Sequence, residues 1–396
     1  MIHVHRYPSP KTFLIVALLS LPIVLASLLQ AEDKAGPPPQ PVSFQKHVLN
    51  ADSRFETAGI GDIDGDGKKD VMCGGFWYAA PDWQPHRVGT IEESSGYHND
   101  FANHLQDVDG DGDLDVISVT WFSQEILWRE NPGAKGGDWP THTIDKPGNV
   151  ETALFADLSG DGVDDIVPNI MGEVAWYEYM KDPAGGPKWI KHTAGQEGAG
   201  HGIGVGDVNQ DGQWDIICPK GWYEVKKENS QFTYRWHAEF DLGSTSVPIL
   251  AHDVNEDGQM DLIWGYGHDY GLFWAEQRQE DSKRTWTIHV IDKSWSQPHC
   301  LLLADLDGDC RAELITGKRY WAHNGNDPGE NDPRCIYYYS FTPKSVSWTR
   351  HTIDEGTTAA FGLLSAADDI DGDGDIDLAC PGKSGLYVFE NLRIKK

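Results

Sequence analysis

The chain is short of positive charge. It carries 32 Lys and Arg against 62 Asp and Glu, a formal net charge of −30. No basic stripe runs along it, and bare carboxylates repel phosphate, which argues against nucleic acid as a partner. Long apolar runs are scarce too: beyond residue 31 none is long enough to span a bilayer. Six cysteines are few for 396 residues, and their spacing fits no zinc framework. Residues for a nucleophilic triad cannot be assembled from the sequence.

One apolar run stands at the start. Arg6 and Lys11 flank or precede residues 13–29, and Leu29, Gln30 and Ala31 form a cleavage-like site. Residues 1–31 therefore read as a signal peptide, with an uncleaved N-terminal anchor as the alternative. The expected location is secreted, periplasmic or at the cell surface, with no other membrane association. Residues 32–43 read as a proline-stiffened linker.

What the chain has in quantity is an acidic repeat. Residues 62–70 place acids at positions 1, 3, 5 and 9 and glycine at position 6: Asp62, Asp64, Asp66, Asp70. Six further copies follow. They are Asp107, Asp109, Asp111, Asp115; Asp157, Ser159, Asp161, Asp165; Asp207, Asn209, Asp211, Asp215; Asp253, Asn255, Asp257, Asp261; Asp305, Asp307, Asp309, Glu313; and Asp369, Asp371, Asp373, Asp377. Of the 28 side-chain positions, 25 carry a carboxylate, so much of the negative charge sits here. Alternating carboxylates in a tight loop suit a hard cation with oxygen ligands, and up to seven structural Ca2+ ions are expected. The loops are not EF-hands: the position of the bidentate Glu holds Cys73, Ser118 and Pro168 in the first three copies.

The motif starts are 45 to 64 residues apart, the length of a four-stranded propeller blade. Residues 201–240 show four β-rich runs separated by turns, the first Gly-rich as an innermost strand crowded at an axis should be. The expectation is an all-β, seven-bladed β-propeller over 44–396. The strand at 44–49 precedes the first motif and the last unit lacks a fourth strand, so 44–49 should complete blade 7. Cys73, Cys218 and Cys380 occupy equivalent strand positions and read as small apolar residues, while one bridge among Cys300, Cys310 and Cys335 is left open. His47, His86, His142, His192, His237, His289 and His351 recur on outer strands, too far apart in a ring to share a metal, and read as packing or edge residues.

In a four-stranded blade the acidic loops join strands one and two on one face. The opposite, funnel face then collects the remaining connections. Candidate ligand-binding residues there are His98, Asp100, His104, His268, Trp295, Tyr320, Trp321 and His323. An insertion at 322–334 accounts for the longest motif interval. Glu56, Glu151, His201 and His299 each lie six residues before a motif and should meet near the axis, where they could hold a second divalent metal with catalytic potential. His201, His299 and Tyr270 are candidate acid–base groups, and Lys318 and Arg319 candidate stabilisers of an enolate.

The Asp-x-Asp-x-Asp-Gly-x-x-Asp loops resemble the FG-GAP/VCBS repeat family, which includes integrin α-like propellers. That resemblance implies fold far more than function. No Arg-Gly-Asp tripeptide is present. Residues 268–277 and 316–323 are similar, more weakly, to propellers related to the propeller domain of aldos-2-ulose dehydratase, without that enzyme's cupin domains. The first functional expectation is a calcium-stabilised module binding a carbohydrate or protein ligand at the funnel. The alternative, implied by the second resemblance, is a metal-dependent lyase or dehydratase acting by β-elimination on a keto sugar.

Overall fold

The computed structural model describes residues 42–182, 186–281 and 283–394. The expected signal peptide and all but the end of the linker lie outside the described residues. Among the described residues no helix is long and apolar enough to cross a membrane.

Seven four-stranded antiparallel sheets form the blades of a propeller. Blade 1 starts at Gly59–Gly61, blade 2 at His104–Gln106, blade 3 at Val150–Ala156 and blade 4 at Gly204–Gly206. Blade 5 starts at Leu250–His252, blade 6 at Pro298–Ala304 and blade 7 at Ala366–Asp368. The ring closes as the sequence indicates: Phe44–Asn50 pairs antiparallel with Gly385–Asn391, Phe44 opposite Asn391 and His47 opposite Val388. This pairing covers both edges that an open ring would expose.

Crowding at the axis explains the small residues of the inner strands. A Cβ on Gly204 would lie 2.1 Å from the Ile249 carbonyl oxygen of blade 5. One on Gly59 would lie 2.5 Å from the Asn103 carbonyl oxygen of blade 2. Backbone bonds link neighbouring blades at this radius, as from Ile249 N–H to Ile203 O at 2.8 Å. Further out, apolar side chains interlock between blades; Leu154, Val167 and Trp176 of blade 3 meet Val205, Ile216 and Tyr223 of blade 4. Trp176, Trp222, Trp264 and Trp274 are fully buried.

The outer-strand histidines are packing groups. His86, His142, His192, His237 and His289 stack on third-strand tryptophans with ring centres 4.2–4.6 Å apart, and His351 stacks on Tyr338. Several also meet a third-strand carboxylate, as His192 does Glu178 at 2.8 Å. All six cysteines are free, so no bridge joins Cys300, Cys310 and Cys335. Cys73, Cys218 and Cys380 are buried at equivalent second-strand positions.

Each acidic loop divides its work. The last acid is buried and straps the blade. Asp215 accepts N–H groups from Val208 at 3.0 Å and from Val225 of the third strand at 3.1 Å. Asp70, Asp115, Asp165, Asp261 and Asp377 repeat the pattern. The earlier acids are more exposed and cap the turn, as Asp62 does for the Gly67 N–H at 3.0 Å. Position 6 is left-handed throughout, from Gly67 at φ +86° to Cys310 at φ +71°. Position 4 is left-handed too, and there Gln210 and Glu256 adopt φ of +61° and +60° without being glycine.

Candidate metal centre in the propeller funnel

On the face opposite the acidic loops, four side chains from four blades converge. Glu151 lies at the start of the inner strand of blade 3, and His201 three residues before that of blade 4. His268 lies in the turn between the second and third strands of blade 5, and His299 opens the inner strand of blade 6. One ligand atom from each lies within 4.8 Å of all the others. The three imidazole centres form a near-equilateral triangle with sides of 5.0, 5.3 and 5.4 Å.

Glu151 is the hub. Its carboxylate oxygens lie 2.8 Å from His201 Nε2, 3.2 Å from His299 Nε2 and 4.0 Å from His268 Nε2. Ligands each about 2.1 Å from a tetrahedral ion stand roughly 3.4 Å apart, so these separations bracket what a divalent metal requires. The His201–Glu151 contact is at ion-pair distance. The far nitrogens of two rings are anchored: His201 Nδ1 on the Thr245 carbonyl at 2.5 Å and His268 Nδ1 on Asp327 at 2.9 Å. A donor bond at Nδ1 leaves Nε2 as a lone pair, the arrangement that orients histidines toward a metal.

Electrostatics follow from burial and proximity. Burial alone would raise the Glu151 carboxyl, but the His201 and His299 imidazoles outweigh it and hold it well below the carboxylate range. Burial pushes His299 well below its ordinary value, and burial together with the Arg319 charge takes His268 to about 4. For His201 burial acts downward, yet the Glu151 charge wins and raises it. His268 and His299 are therefore neutral near pH 7, the state in which imidazole binds metal. Three imidazole nitrogens and one carboxylate suit a borderline divalent ion better than calcium.

The expected metal set is thus partly rearranged. Glu151, His201 and His299 come together and His268 joins them, whereas Glu56 does not. Its carboxylate takes the buried Arg319 Nε at 2.9 Å and faces Lys383 Nζ at 3.9 Å. Arg319 in turn stands 3.6 Å from Glu151 and forms one wall of the site. Lys383 projects from the turn between the second and third strands of blade 7 over the Tyr97 ring, 3.2 Å from its centre. Burial lowers this lysine to about 8.

The other candidates divide clearly. His323 is exposed, stacks on His268 at 4.4 Å and holds Asp327 at 2.8 Å, so one carboxylate aligns two imidazoles. Trp321 is exposed beside it, and Tyr320 lies under the Arg334 guanidinium. Trp321, His323 and Asn324 all have positive φ, a strained run of the kind that collects at functional sites. Tyr270 is committed to Asp332, and the buried Lys318 to Ser296 and the Gly329 carbonyl. Trp295 is in the core with its N–H on Tyr339, so it cannot stack on a ligand. Asp100 is buried among Thr57, Asn103, Ser118 and Arg129, and His104 is buried against Phe155. These two are structural, and His98 packs against Phe55.

Sequence reasoning missed Lys383, Asp327 and Tyr97, and assigned His268 to ligand rather than metal. Lys383 and His268 share a signal: both occupy the turn between the second and third strands, which topology places on the funnel face. Asp327 lay within the recognised insertion but among several equivalent acids.

On the back face the acidic loops also gather ligand atoms, as in Asp62 with Asp64 and Asp66, and Asp305 with Asp307 and Glu313. Asp62 Oδ1 is buried without a hydrogen-bond partner. Burial pushes the strapping acids up, Asp70 to about 6 and Asp215 to about 8. An all-oxygen set with a buried orphan oxygen fits a hard cation.

A family model described as FG-GAP-like repeat matches residues 107–167, which span the acidic loops of blades 2 and 3. No curated protein matches the chain by sequence. Among solved structures it is similar to the exotype rhamnogalacturonan lyase YesX, at 13% identity and a TM-score of 0.50, over 90% of this chain and 75% of that one. It is also similar to the rhamnogalacturonan lyase YesW, at 13% identity and a TM-score of 0.44, with the same coverage. At such identity the likeness to YesX establishes the propeller fold alone.

Proposed function

We propose that this protein is an exported, calcium-fastened propeller that binds a carbohydrate at its funnel through a divalent metal ion and carries out elimination on it. The observation that carries the reading is the convergence of Glu151, His201, His268 and His299 at the base of a polar funnel. Glu151, His201, His268 and His299 would hold an ion that would supply Lewis acidity to a sugar carbonyl oxygen and so acidify the neighbouring C–H. His323 is the base we assign, because it is exposed, adjacent to a metal ligand and aligned by Asp327. The C–H bond breaks toward His323, the C=C bond forms, and the C–O bond opposite breaks. His323 returns its proton to the departing oxygen, leaving an unsaturated carbonyl and an alcohol or water. Arg319 faces the site with a fixed positive charge for the developing enolate. YesX, whose fold this chain shares, is a rhamnogalacturonan lyase, which accords with this reading but does not carry it.

Binding without chemistry is the second reading, favoured by the fact that Tyr270 and Lys318 are both tied to other groups. The two part in one assay. Purified protein loaded with Mn2+ or Zn2+ is incubated with keto-glycosides and watched for conjugated enone by ultraviolet absorbance. Turnover lost in His323→Gln with metal loading intact supports elimination; sugar binding with no absorbance in the wild type leaves binding alone. Failure to load any divalent ion at Glu151 sinks elimination and the metal's part in binding.

A further inference from the structure

The funnel is closed on one side and open on the other. The insertion at 322–334 ties to His268 and Tyr270 of blade 5 through Asp327 and Asp332, and to Lys318 of blade 6 through the Gly329 carbonyl. Beyond it, His323 N–H meets the Tyr97 hydroxyl and the Asn324 amide meets the Ser95 carbonyl, both on the hairpin before blade 2. Lys383 of blade 7 is bonded to the Trp321 carbonyl. A ligand seated on Glu151 and the three histidines therefore cannot extend over blades 5 to 7.

Over blade 4 the surface recedes instead. A cavity of about 450 Å³ lies between the connection entering blade 4, the turn between its second and third strands, and the connection to blade 5. Gly198, Gly200, His201, Lys220, Ser244 and Thr245 line it. Its inner end is His201, whose Nε2 lies 2.8 Å from Glu151, so the cavity adjoins the metal centre. Three of its nine lining residues are glycine. A Cβ on Gly198 would sit 2.6 Å from the Trp236 ring, and one on Gly243 2.8 Å from the Tyr266 hydroxyl. Both residues are left-handed, at φ +73° and +74°. A hollow of this size lies within the range of small-ligand sites. Peptide groups with the exposed Ser244 and Lys220 suit a hydroxyl-rich ring rather than an apolar one.

We infer that this cavity is a second sugar subsite: the ligand is an oligosaccharide with one unit at the metal centre and the next over blade 4. The inference rests on the funnel reading above and specifies the length and direction of its ligand. The subsite should make affinity depend on chain length.

The test is calorimetry on the full chain loaded with Ca2+ and Mn2+, comparing galacturonate with digalacturonate and glucose with cellobiose. At least one disaccharide should bind ten-fold or more tighter than its monomer, the acidic and neutral pairs showing which chemistry Lys220 accepts. Ser244→Trp, at an exposed position, should abolish that gain and leave monomer affinity and Mn2+ loading unchanged. Ala199→Trp, from the opposite wall, is the second filling variant if the first misfolds. No length dependence in either pair, or an undiminished gain in a folded filling variant, overturns the subsite. A wild type that loads no Mn2+ overturns the funnel reading instead, so the two failures are separable.

Discussion

The two faces of this ring are built on opposite rules. The back face repeats: seven loops place an acid at the same strapping position, and six of those acids take N–H groups both from the loop and from the third strand or the residues just after it. The funnel face does not repeat: Glu151, three histidines, Arg319 and Lys383 come from five different blades and two kinds of connection. Repetition marks what every blade needs in order to be a blade. A constellation that forms once per ring, where several blades converge, marks what the assembled ring does.

The largest expected effect lies on the back face. Calcium at about ten times Kd adds roughly 1.4 kcal/mol per site, so seven independent sites sum to about 10 kcal/mol. Chelation should lower Tm by roughly 10 °C for a domain of this length, read by scanning calorimetry. An unchanged Tm would remove calcium from the account of the loops. Next in size is the division of labour within a loop. Asp215→Ala strands two backbone N–H groups in the interior and should cost about 2–4 kcal/mol in denaturant unfolding, with or without calcium. Asp211→Ala, at an exposed loop position, should cost less than about 1 kcal/mol once calcium is removed. Equal losses would show that the loop does not divide its roles.

On the funnel face the effects should appear in metal affinity rather than stability. Asp327→Asn disturbs the alignment of His268 and should weaken a transition-metal ion by about 10–100-fold in chelator competition. A further effect concerns Lys383. Its folded value of about 8 lies below the ordinary 10.5, so the unfolded chain holds more protons between those values. Stability should therefore rise with pH across about 8 to 10, by around 2 kcal/mol, and Lys383→Met should flatten that rise. A slope unchanged by the substitution would place the titration elsewhere.

The fold was legible because the acidic loop recurs and because Phe44–Asn50 stands before the first motif while blade 7 lacks an outer strand. The site was legible only in part. Counting back six residues from a motif picks out Glu56, Glu151, His201 and His299, and three of these four do converge. It does not say which neighbour each carboxylate chooses. Glu56 sits beside Arg319 and is neutralised by it, whereas Glu151 faces imidazoles across the axis. Trp295 failed for a related reason: an aromatic at the end of a blade's outer strand turned inward to Tyr339. Contacts between blades depend on side-chain direction across the ring, which no single repeat encodes.

The most direct measurement is metal content by element. Protein equilibrated with Ca2+ and Mn2+, then freed of excess, should retain up to seven calcium ions and one manganese ion per chain. Glu151→Ala and His299→Ala should lose the manganese and keep the calcium and the Tm it confers. Manganese absent from the wild type, or retained in both variants, would contradict the separation of a fastened back from a metal-binding funnel.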